Sequence, residues 1–135
     1  MELVAIQTNY GDYVNVASAK KECIENVIKQ AALCKQISAI ILFGSSLEER
    51  CTNRSDIDLA IISETQLSRL FQRKSYDTFS RNVYSFDWEQ GYDILYFKSI
   101  EEIEKKQYKV GICNELVNKG KIIYKRKEEA TAWRV

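Results

Sequence analysis

Two hydrophobic patterns alternate along the chain and divide it into predicted strands and helices. Three short runs are almost continuously apolar, as is typical of strands buried on both faces: 39–43, 57–62 and 92–97. Three longer segments repeat apolar residues every three or four positions, which predicts amphipathic helices: 18–35, 64–83 and 99–118. With a short final strand over 121–124, the pattern predicts a domain of mixed helices and strands.

Local signals predict where several of these elements begin and end. Ser18 and Ser99 are predicted to cap the first and third helices, and Gly120 to stop the third. In the first helix, Lys20 falls on the polar side of the apolar stripe. The third helix is predicted to direct five residues inward: Ile103, Tyr108, Ile112, Leu116 and Val117. Residues 1–16 contain signals for a short strand and a turn, and we interpret them as an N-terminal extension.

Composition limits the kind of protein and the chemistry that is open to it. A chain of 135 residues, 45% of them hydrophobic, predicts one globular domain over residues 1–135, with a charged tail at 125–135. The net charge of +1 does not indicate a nucleic-acid-binding protein, although a local basic patch remains an option. The sequence contains no His, which excludes Ser-His-Asp triads, zinc sites built on His and His general bases.

Cysteine spacing and the lack of long apolar segments favour a cytoplasmic protein. The four cysteines form no C-x-x-C pair, so we interpret them as reduced thiols: Cys23, Cys34, Cys51 and Cys113. No segment resembles a signal peptide or reaches the roughly 18 apolar residues that a membrane span needs. We therefore expect a cytoplasmic location and no membrane contact.

The candidate chemistry lies between the first two apolar runs. The first run ends at Gly44 and Ser45, where a missing Cβ lets backbone amides approach an anion such as phosphate. The second run opens with Asp56 and Asp58, which alternate onto one face about 6–7 Å apart along the strand. Asp93 adds a carboxylate from the third run. Neighbouring carboxylates favour a cation between them, so the set indicates a Mg²⁺-dependent, two-metal phosphoryl-transfer site.

Each of these carboxylates also has a purely structural interpretation. Asp56 would cap a turn, Asp58 would be merely exposed, and Asp93 would be paired with another side chain. Asp87 is a rival third carboxylate, although the residues after it favour a turn. The full pattern of Gly-Ser, ten residues and Asp-x-Asp is much more specific than Asp-x-Asp alone, and it favours the catalytic interpretation.

The pattern Gly44-Ser45-x10-Asp56-x-Asp58 resembles the signature of the minimal nucleotidyltransferases in the DNA polymerase beta superfamily. The resemblance covers roughly residues 18–124. It implies an α/β (α+β) fold in which a small mixed β-sheet is backed by helices. It also implies ATP or another NTP as donor, two Mg²⁺ ions, and transfer of a nucleoside monophosphate to a hydroxyl group with release of pyrophosphate.

The resemblance further implies residue roles and a partner. Asp56 and Asp58 would bind metal, and Asp93 would complete the catalytic-metal site and act as a base toward the acceptor hydroxyl. Four residues would hold the nucleotide: Gly44, Ser45, Ser46 and Arg54. Many small stand-alone members resemble antitoxins that add AMP to a tyrosine of a HEPN-type ribonuclease toxin. Because the chain leaves little room for a separate substrate-binding domain, we expect a partner protein or a second copy to complete the acceptor site.

The loop after Ser45 departs from the family pattern and supports an alternative function. Where the family often has a basic run of small residues, this chain has Glu48 and Glu49, which would repel a triphosphate unless Arg50 and Arg54 compensate. The alternative is a catalytically weak or inactive binding module that masks a partner protein.

Two further clusters have both a functional and a structural interpretation. The first is basic and would be an acceptor or partner surface, or a solvated tail, which we favour: Lys119, Lys121, Lys125, Arg126 and Lys127. The second is aromatic and would be a partner-binding patch or part of the core, which we favour for most of it: Tyr76, Phe79, Tyr84, Phe86 and Trp88.

Overall fold

A computed structural model describes residues 1–126, which form a four-stranded sheet, a separate β-hairpin and five α-helices. The strands are β1 (Leu3–Gln7), β2 (Tyr13–Ala17), β3 (Ala39–Phe43), β4 (Ile57–Ile62), β5 (Tyr92–Phe97) and β6 (Lys121–Lys125). The helices are α1 (Lys21–Ala31), α2 (Leu67–Leu70), α3 (Lys74–Phe86), α4 (Ile100–Lys106) and α5 (Gly111–Lys119). Short 3-10 turns occupy Ser18–Lys20 and Gly44–Leu47.

The main sheet is mixed and is covered by helices on both faces. Its order is β5-β4-β3-β6, in which β4 and β5 are parallel and the other pairs are antiparallel. Ile57 and Leu59 face a core that includes Ile24 of α1 and residues of α3, whereas Ala60 and Ile62 face α4 and α5. Because both faces are buried, the inner strands β3 and β4 are apolar except for Asp58. The α/β class and the small mixed sheet are confirmed.

The strand predictions are confirmed. Strands β3, β4 and β5 coincide with the three apolar runs, and β6 extends one residue past the predicted 121–124. The short strand and the turn signalled within residues 1–16 are present, as parts of the antiparallel β1–β2 hairpin, with Leu3 opposite Ala17. Its Ile6, Val14 and Val16 side chains belong to the core shared with α1. Because apolar residues alternate along these short strands, one face of the hairpin is apolar and packs against the domain.

The predicted helices are correct in place but wrong in length. The first is shortened to Lys21–Ala31, and Ser18 makes no side-chain cap because a 3-10 turn precedes the helix. The second is divided into α2 and α3, which lets Tyr76 and Phe79 of α3 pack into the core with α1. Apolar spacing is similar on both sides of such a break, so periodicity alone did not reveal it.

The third predicted helix is also divided, into α4 and α5. The Ser99 cap is confirmed, since its hydroxyl accepts a hydrogen bond from the Glu102 amide at 3.1 Å. Tyr108 lies in the break and is 87% exposed, so its predicted inward position is wrong, as is that of Val117. Gly120 follows α5 with a negative φ and packs closely against Leu116. Glycine is therefore required at position 120 because the backbone of Leu116 lies so close, and not because the chain turns left-handed there.

Several surface predictions are resolved by burial. Tyr76 and Phe79 are core residues, but Tyr84, Phe86 and Trp88 are exposed, so the core interpretation is wrong for three of the five aromatics. The four cysteines are buried free thiols. Within residues 1–126, no helix combines the length and the apolar content that crossing a membrane requires.

The basic cluster is not one solvated tail. Arg126 donates hydrogen bonds to the carbonyls of Cys34 and Ile37, and the Lys125 ammonium lies 4.3 Å from the centre of the Tyr10 ring. Lys127 and the remainder of the predicted tail lie outside the described residues. The described part of this segment is therefore attached to the domain.

Candidate active site

Two of the three predicted carboxylates, Asp58 and Asp93, lie on adjacent strands, and Asp56 lies just before the first of these strands. Strands β4 and β5 run parallel with Asp58 directly opposite Asp93, and Phe43 of β3 is opposite Asp58 on the other side. Asp56 is two residues before Asp58, so its side chain belongs to the same face. That face is the one covered by α4 and α5, because Ala60 continues the alternation into their core. The structure thus brings the predicted carboxylates together.

Gly44 gives Asp58 its place at the end of β3. The Gly44 backbone has φ +76°, a left-handed conformation that glycine adopts without strain. A Cβ atom at this position would overlap the Asp58 carboxylate. The glycine therefore serves both the turn and the close approach of the carboxylate.

Gly91 has a corresponding relationship to Asp56. A Cβ atom on Gly91 would overlap the Asp56 carboxylate, which lies against its backbone. The Gly91 carbonyl accepts a hydrogen bond from the Ile57 amide at 3.0 Å, which ties the start of β4 to the segment before β5. Asp56 and Asp93 are exposed, whereas Asp58 is half-buried between them.

The environment of Asp58 disfavours its charged form. Burial, together with repulsion from Asp93, Asp56 and Glu115, raises the pKa of the Asp58 carboxyl to about 6, and burial is the largest cause. Glu115 comes from α5, which covers this face of the sheet. A negative potential of this kind attracts a cation, and carboxylate oxygens are the ligands that Mg²⁺ prefers.

The carboxylates do not yet converge as ligands. Among the described residues, no group of three or more acidic or thiol side chains has the spacing that would hold a metal ion. The Asp58 carboxylate lies against Gly44, and the Asp56 carboxylate lies against Gly91. The donor set of three carboxylates is chemically suited to Mg²⁺.

The predicted nucleotide-binding residues are arranged unequally. Gly44 and Ser45 are half-buried at the surface of the 3-10 turn. Ser46 is fully buried, and its hydroxyl has no hydrogen-bond partner within residues 1–126, so its side chain is not presented to solvent. Arg54 is exposed near the far end of the loop and forms no ion pair in the described part of the chain. The accessible part of the turn is therefore Gly44-Ser45.

A cleft of about 800 Å³ opens beside Gly44. The hairpin, the 3-10 turn, α5 and the start of β6 form its walls. It is lined by five charged side chains, which together carry one net positive charge: Glu48, Arg50, Glu115, Lys119 and Lys121. Gly44 lines the cleft and also touches Asp58, whereas the three carboxylates are not among the lining residues.

One of the two acidic residues in the loop after Ser45, Glu48, is paired with a basic side chain. Arg50 makes a two-pronged ion pair with Glu48, with N–O distances of 2.7 and 3.1 Å. The hydrogen bonds from Arg50 lower the pKa of Glu48, so Glu48 is charged and paired at neutral pH. Glu49 does not line the cleft. The predicted compensation by Arg50 is therefore present as a direct contact.

Two neighbours of the site gave no recognisable signal in the sequence. Glu115 follows the helical pattern of α5 as an ordinary polar residue, and Tyr13 belongs to the segment interpreted as an extension. Their roles depend on long-range packing, which places α5 and the hairpin beside Gly44. The one usable signal was helical phase, because Glu115 lies three positions after Ile112, which packs against the core under α5.

Comparison with known families decides what this arrangement represents. The profile described as polymerase beta, nucleotidyltransferase matches residues 22–129. The chain belongs to this nucleotidyltransferase family. The mixed sheet and its helices are consistent with the nucleotidyltransferase fold, and membership supports a general role in nucleotidyl transfer. A comparison with curated proteins found no match. The β1–β2 hairpin precedes the residues that match the nucleotidyltransferase profile.

Proposed function

We propose that the domain transfers AMP from ATP to a hydroxyl group of a partner protein in a Mg²⁺-dependent reaction. The observation that carries this proposal is the pairing of Asp58 with Asp93 on adjacent parallel strands, beside a left-handed glycine at the edge of a cleft. Membership of the family supports the reaction class. The choice of ATP as donor rests on the resemblance to small stand-alone members.

The three carboxylates are the residues that would hold Mg²⁺. The ion would neutralise the phosphate charge and the mutual repulsion among Asp56, Asp58 and Asp93. Asp58 contributes the central position, because it faces Asp93 across the strand pair and touches Gly44. Removing the repulsion would also favour the ionised form of Asp58, whose pKa is raised in the free protein.

The cleft beside Gly44 is the proposed nucleotide site. Backbone amides of the Gly44-Ser45 turn would donate to the triphosphate. Lys119 and Lys121 supply positive charge on the wall formed by α5 and β6. Tyr13 of the hairpin, 68% exposed, is the aromatic ring on the opposite wall and would stack on the base.

The acceptor would approach from the side of Asp93. The hydroxyl oxygen forms a bond to the α-phosphorus, the bond from that phosphorus to the leaving oxygen breaks, and pyrophosphate departs. The hydroxyl proton passes to the Asp93 carboxylate, which is exposed and free to face an incoming side chain. In this step Asp93 acts as a general base.

A protein partner is the proposed source of the acceptor. A HEPN-type toxin with an acceptor tyrosine fits the resemblance. Tyr84, Phe86 and Trp88 are large exposed aromatics near the end of α3, and such side chains are enriched at protein interfaces. Tyr84 also packs against Tyr92, the neighbour of Asp93, with ring centres 5.2 Å apart. Tyr92 points to the sheet face opposite to that of Asp93, so a partner on these rings would present its acceptor hydroxyl around the edge formed by β5.

A labelling experiment tests the proposal. The protein is incubated with Mg²⁺, ATP labelled on the α-phosphate and the partner that co-purifies with it, beside an Asp58→Ala variant. We expect label on the partner with the wild type and none with the variant. Absence of label on the partner, while the partner is still neutralised, refutes the proposed transferase activity. Equal labelling by Asp58→Ala refutes the carboxylate site.

The second candidate is a binding module that masks its partner without chemistry. The observation that favours it is the lack of a converged metal group among the described residues, together with the acidic loop. This function predicts that Asp58→Ala neutralises the partner as well as the wild type does. The labelling experiment therefore separates the two candidates.

A further inference from the structure

A fully buried lysine lies behind the carboxylates. Lys20 ends the 3-10 turn before α1, and only 1% of its surface is exposed. Its helix covers the sheet face that contains Ile57, opposite to the face of Asp58. The prediction that Lys20 belongs to a polar face is therefore wrong, because the turn before α1 directs its side chain inward.

The Lys20 ammonium makes three hydrogen bonds, one for each of its protons. It donates to the Ser55 carbonyl at 2.6 Å, to Gln90 Oε1 at 2.7 Å and to the Asn53 carbonyl at 3.2 Å. Ser55 immediately precedes Asp56, and Gln90 lies just before the strand that carries Asp93. One side chain thus joins the starts of both catalytic strands.

Gln90 completes this connection. Its Nε2 donates to the Ser55 carbonyl at 3.1 Å and to the Gly91 carbonyl at 2.7 Å. The Gly91 carbonyl also accepts a hydrogen bond from the Ile57 amide, and the Gly91 backbone lies against the Asp56 carboxylate. Lys20 and Gln90 therefore fix the backbone on both sides of Asp56.

Lys20 does more than fill space, because its buried ammonium group needs hydrogen-bond partners. Burying an ammonium is unfavourable unless it is well compensated, and within residues 1–126 Lys20 has no carboxylate partner. Its compensation comes from the three oxygens, which it must in turn hold in place. A neutral side chain of similar length would fill the space without ordering them.

We infer that Lys20 is a positioning residue for the proposed metal site, acting through the Ser55 carbonyl and Gln90 on Asp56 and Asp93. The inference rests on the proposed function for its metal. By fixing the start of β4 against the start of β5, Lys20 limits how far the carboxylates move when they converge. Partners behind metal ligands typically change metal affinity by about 10- to 100-fold.

The test compares three variants with the wild type. Lys20→Met removes the ammonium, and Gln90→Leu interrupts the same connection from the other side. Val27→Ala is the control, because Val27 is fully buried in α1 and its truncation lowers stability without touching these hydrogen bonds. The probe is Mn²⁺, titrated at neutral pH by the electron paramagnetic resonance signal of the free ion. Hydrogen exchange of the Ile57 amide is measured without metal.

We expect Lys20→Met and Gln90→Leu each to weaken Mn²⁺ binding about tenfold or more, and the double variant to be no weaker than the worse single variant. Hydrogen exchange of the Ile57 amide should be faster in Lys20→Met and in Gln90→Leu than in the wild type. Val27→Ala should bind Mn²⁺ as tightly as the wild type does. In turnover, kcat should fall while the KM for ATP stays within about twofold.

Two results would overturn the inference, and they differ from failure of the proposed function. Mn²⁺ affinity of Lys20→Met within about twofold of the wild type refutes the positioning role. Unchanged exchange at Ile57 refutes it even where the wild type binds no Mn²⁺. Absence of Mn²⁺ binding in the wild type refutes the proposed metal site itself.

Discussion

The Asp58 carboxylate lies against the backbone of Gly44, at the only glycine besides Gly11 with positive φ within residues 1–126. Gly44→Ala should therefore strain the turn and displace Asp58 at once. We expect nucleotidyl transfer to fall by about 100-fold or more, measured as kcat/KM. Failure to lose activity would show that this turn does not order the carboxylate.

Gly111→Ala is the matched control for that substitution. Gly111 begins α5 with negative φ, and a Cβ there meets nothing within 4 Å. Alanine should stabilise the protein by about 0.4–1 kcal/mol because it restricts the unfolded chain, as measured by urea denaturation. Activity should stay unchanged.

Asp58→Asn should slow transfer strongly but leave a folded protein. Loss of the central carboxylate removes several kcal/mol of transition-state stabilisation, or a decrease in kcat of about 10³-fold. Asp87→Asn is the control, because Asp87 is exposed in a turn and accepts a hydrogen bond from the Glu89 amide. Equal loss of activity in both variants would contradict the assignment of the site.

Stability of the metal-free protein should depend on the protonation of Asp58. Its folded pKa of about 6 lies above the ordinary value of 3.8, so the folded state binds more protons than the unfolded state between these values. The contribution of Asp58 to stability therefore decreases as pH rises from about 4 to about 6. Unfolding free energies of wild type and Asp58→Asn should accordingly diverge between about pH 4 and about pH 6, with the wild type becoming relatively less stable as pH rises.

The affinity for divalent metal should increase as pH rises, whereas the stability contribution of Asp58 decreases. A carboxylate binds metal in its ionised form, so affinity should fall as pH drops below about 6. Glu115→Gln should lower the pKa of Asp58 and shift this decline to lower pH, since Glu115 is one of the charges that raise it. A pH profile identical in wild type and Glu115→Gln would exclude the influence of α5.

Glu48→Gln should strengthen nucleotide binding. The change removes a negative charge from the cleft and releases Arg50 from its ion pair, leaving the guanidinium free to contact phosphate. We expect the KM for ATP to fall about threefold to tenfold, with kcat little changed. Glu49→Gln removes the same charge outside the cleft lining and should have a smaller effect. Similar effects of both would show that only net charge matters.

Tyr13→Ala should weaken nucleotide binding without lowering stability. Stacking of a base on an aromatic ring contributes about 1–3 kcal/mol, or about 5- to 150-fold in affinity. Tyr108→Ala is the control, because Tyr108 is also highly exposed but does not line the cleft. Equilibrium binding of ATP distinguishes them, and equal affinity of Tyr13→Ala and wild type would place the base elsewhere.

Local pattern was sufficient to predict the strands and the carboxylates, but not the tertiary features of the site. Strands β3, β4 and β5 are apolar on both faces, so their bounds were readable from residues alone. Asp58 and Asp93 stand out because each interrupts such a run. The breaks within the predicted helices, the inward turn of Lys20 and the burial of Ser46 depend on contacts between distant segments. No periodicity in the sequence encodes those contacts.

The pairing of β3 with β6 has a consequence for how the domain is made. Ala39 on β3 lies opposite Lys125 on β6, so a central strand obtains its second neighbour from residues synthesised much later. Until 121–125 leaves the ribosome, one edge of a fully apolar strand stays open, which favours association with other chains. The last described strand therefore protects the sheet from association as well as completing it.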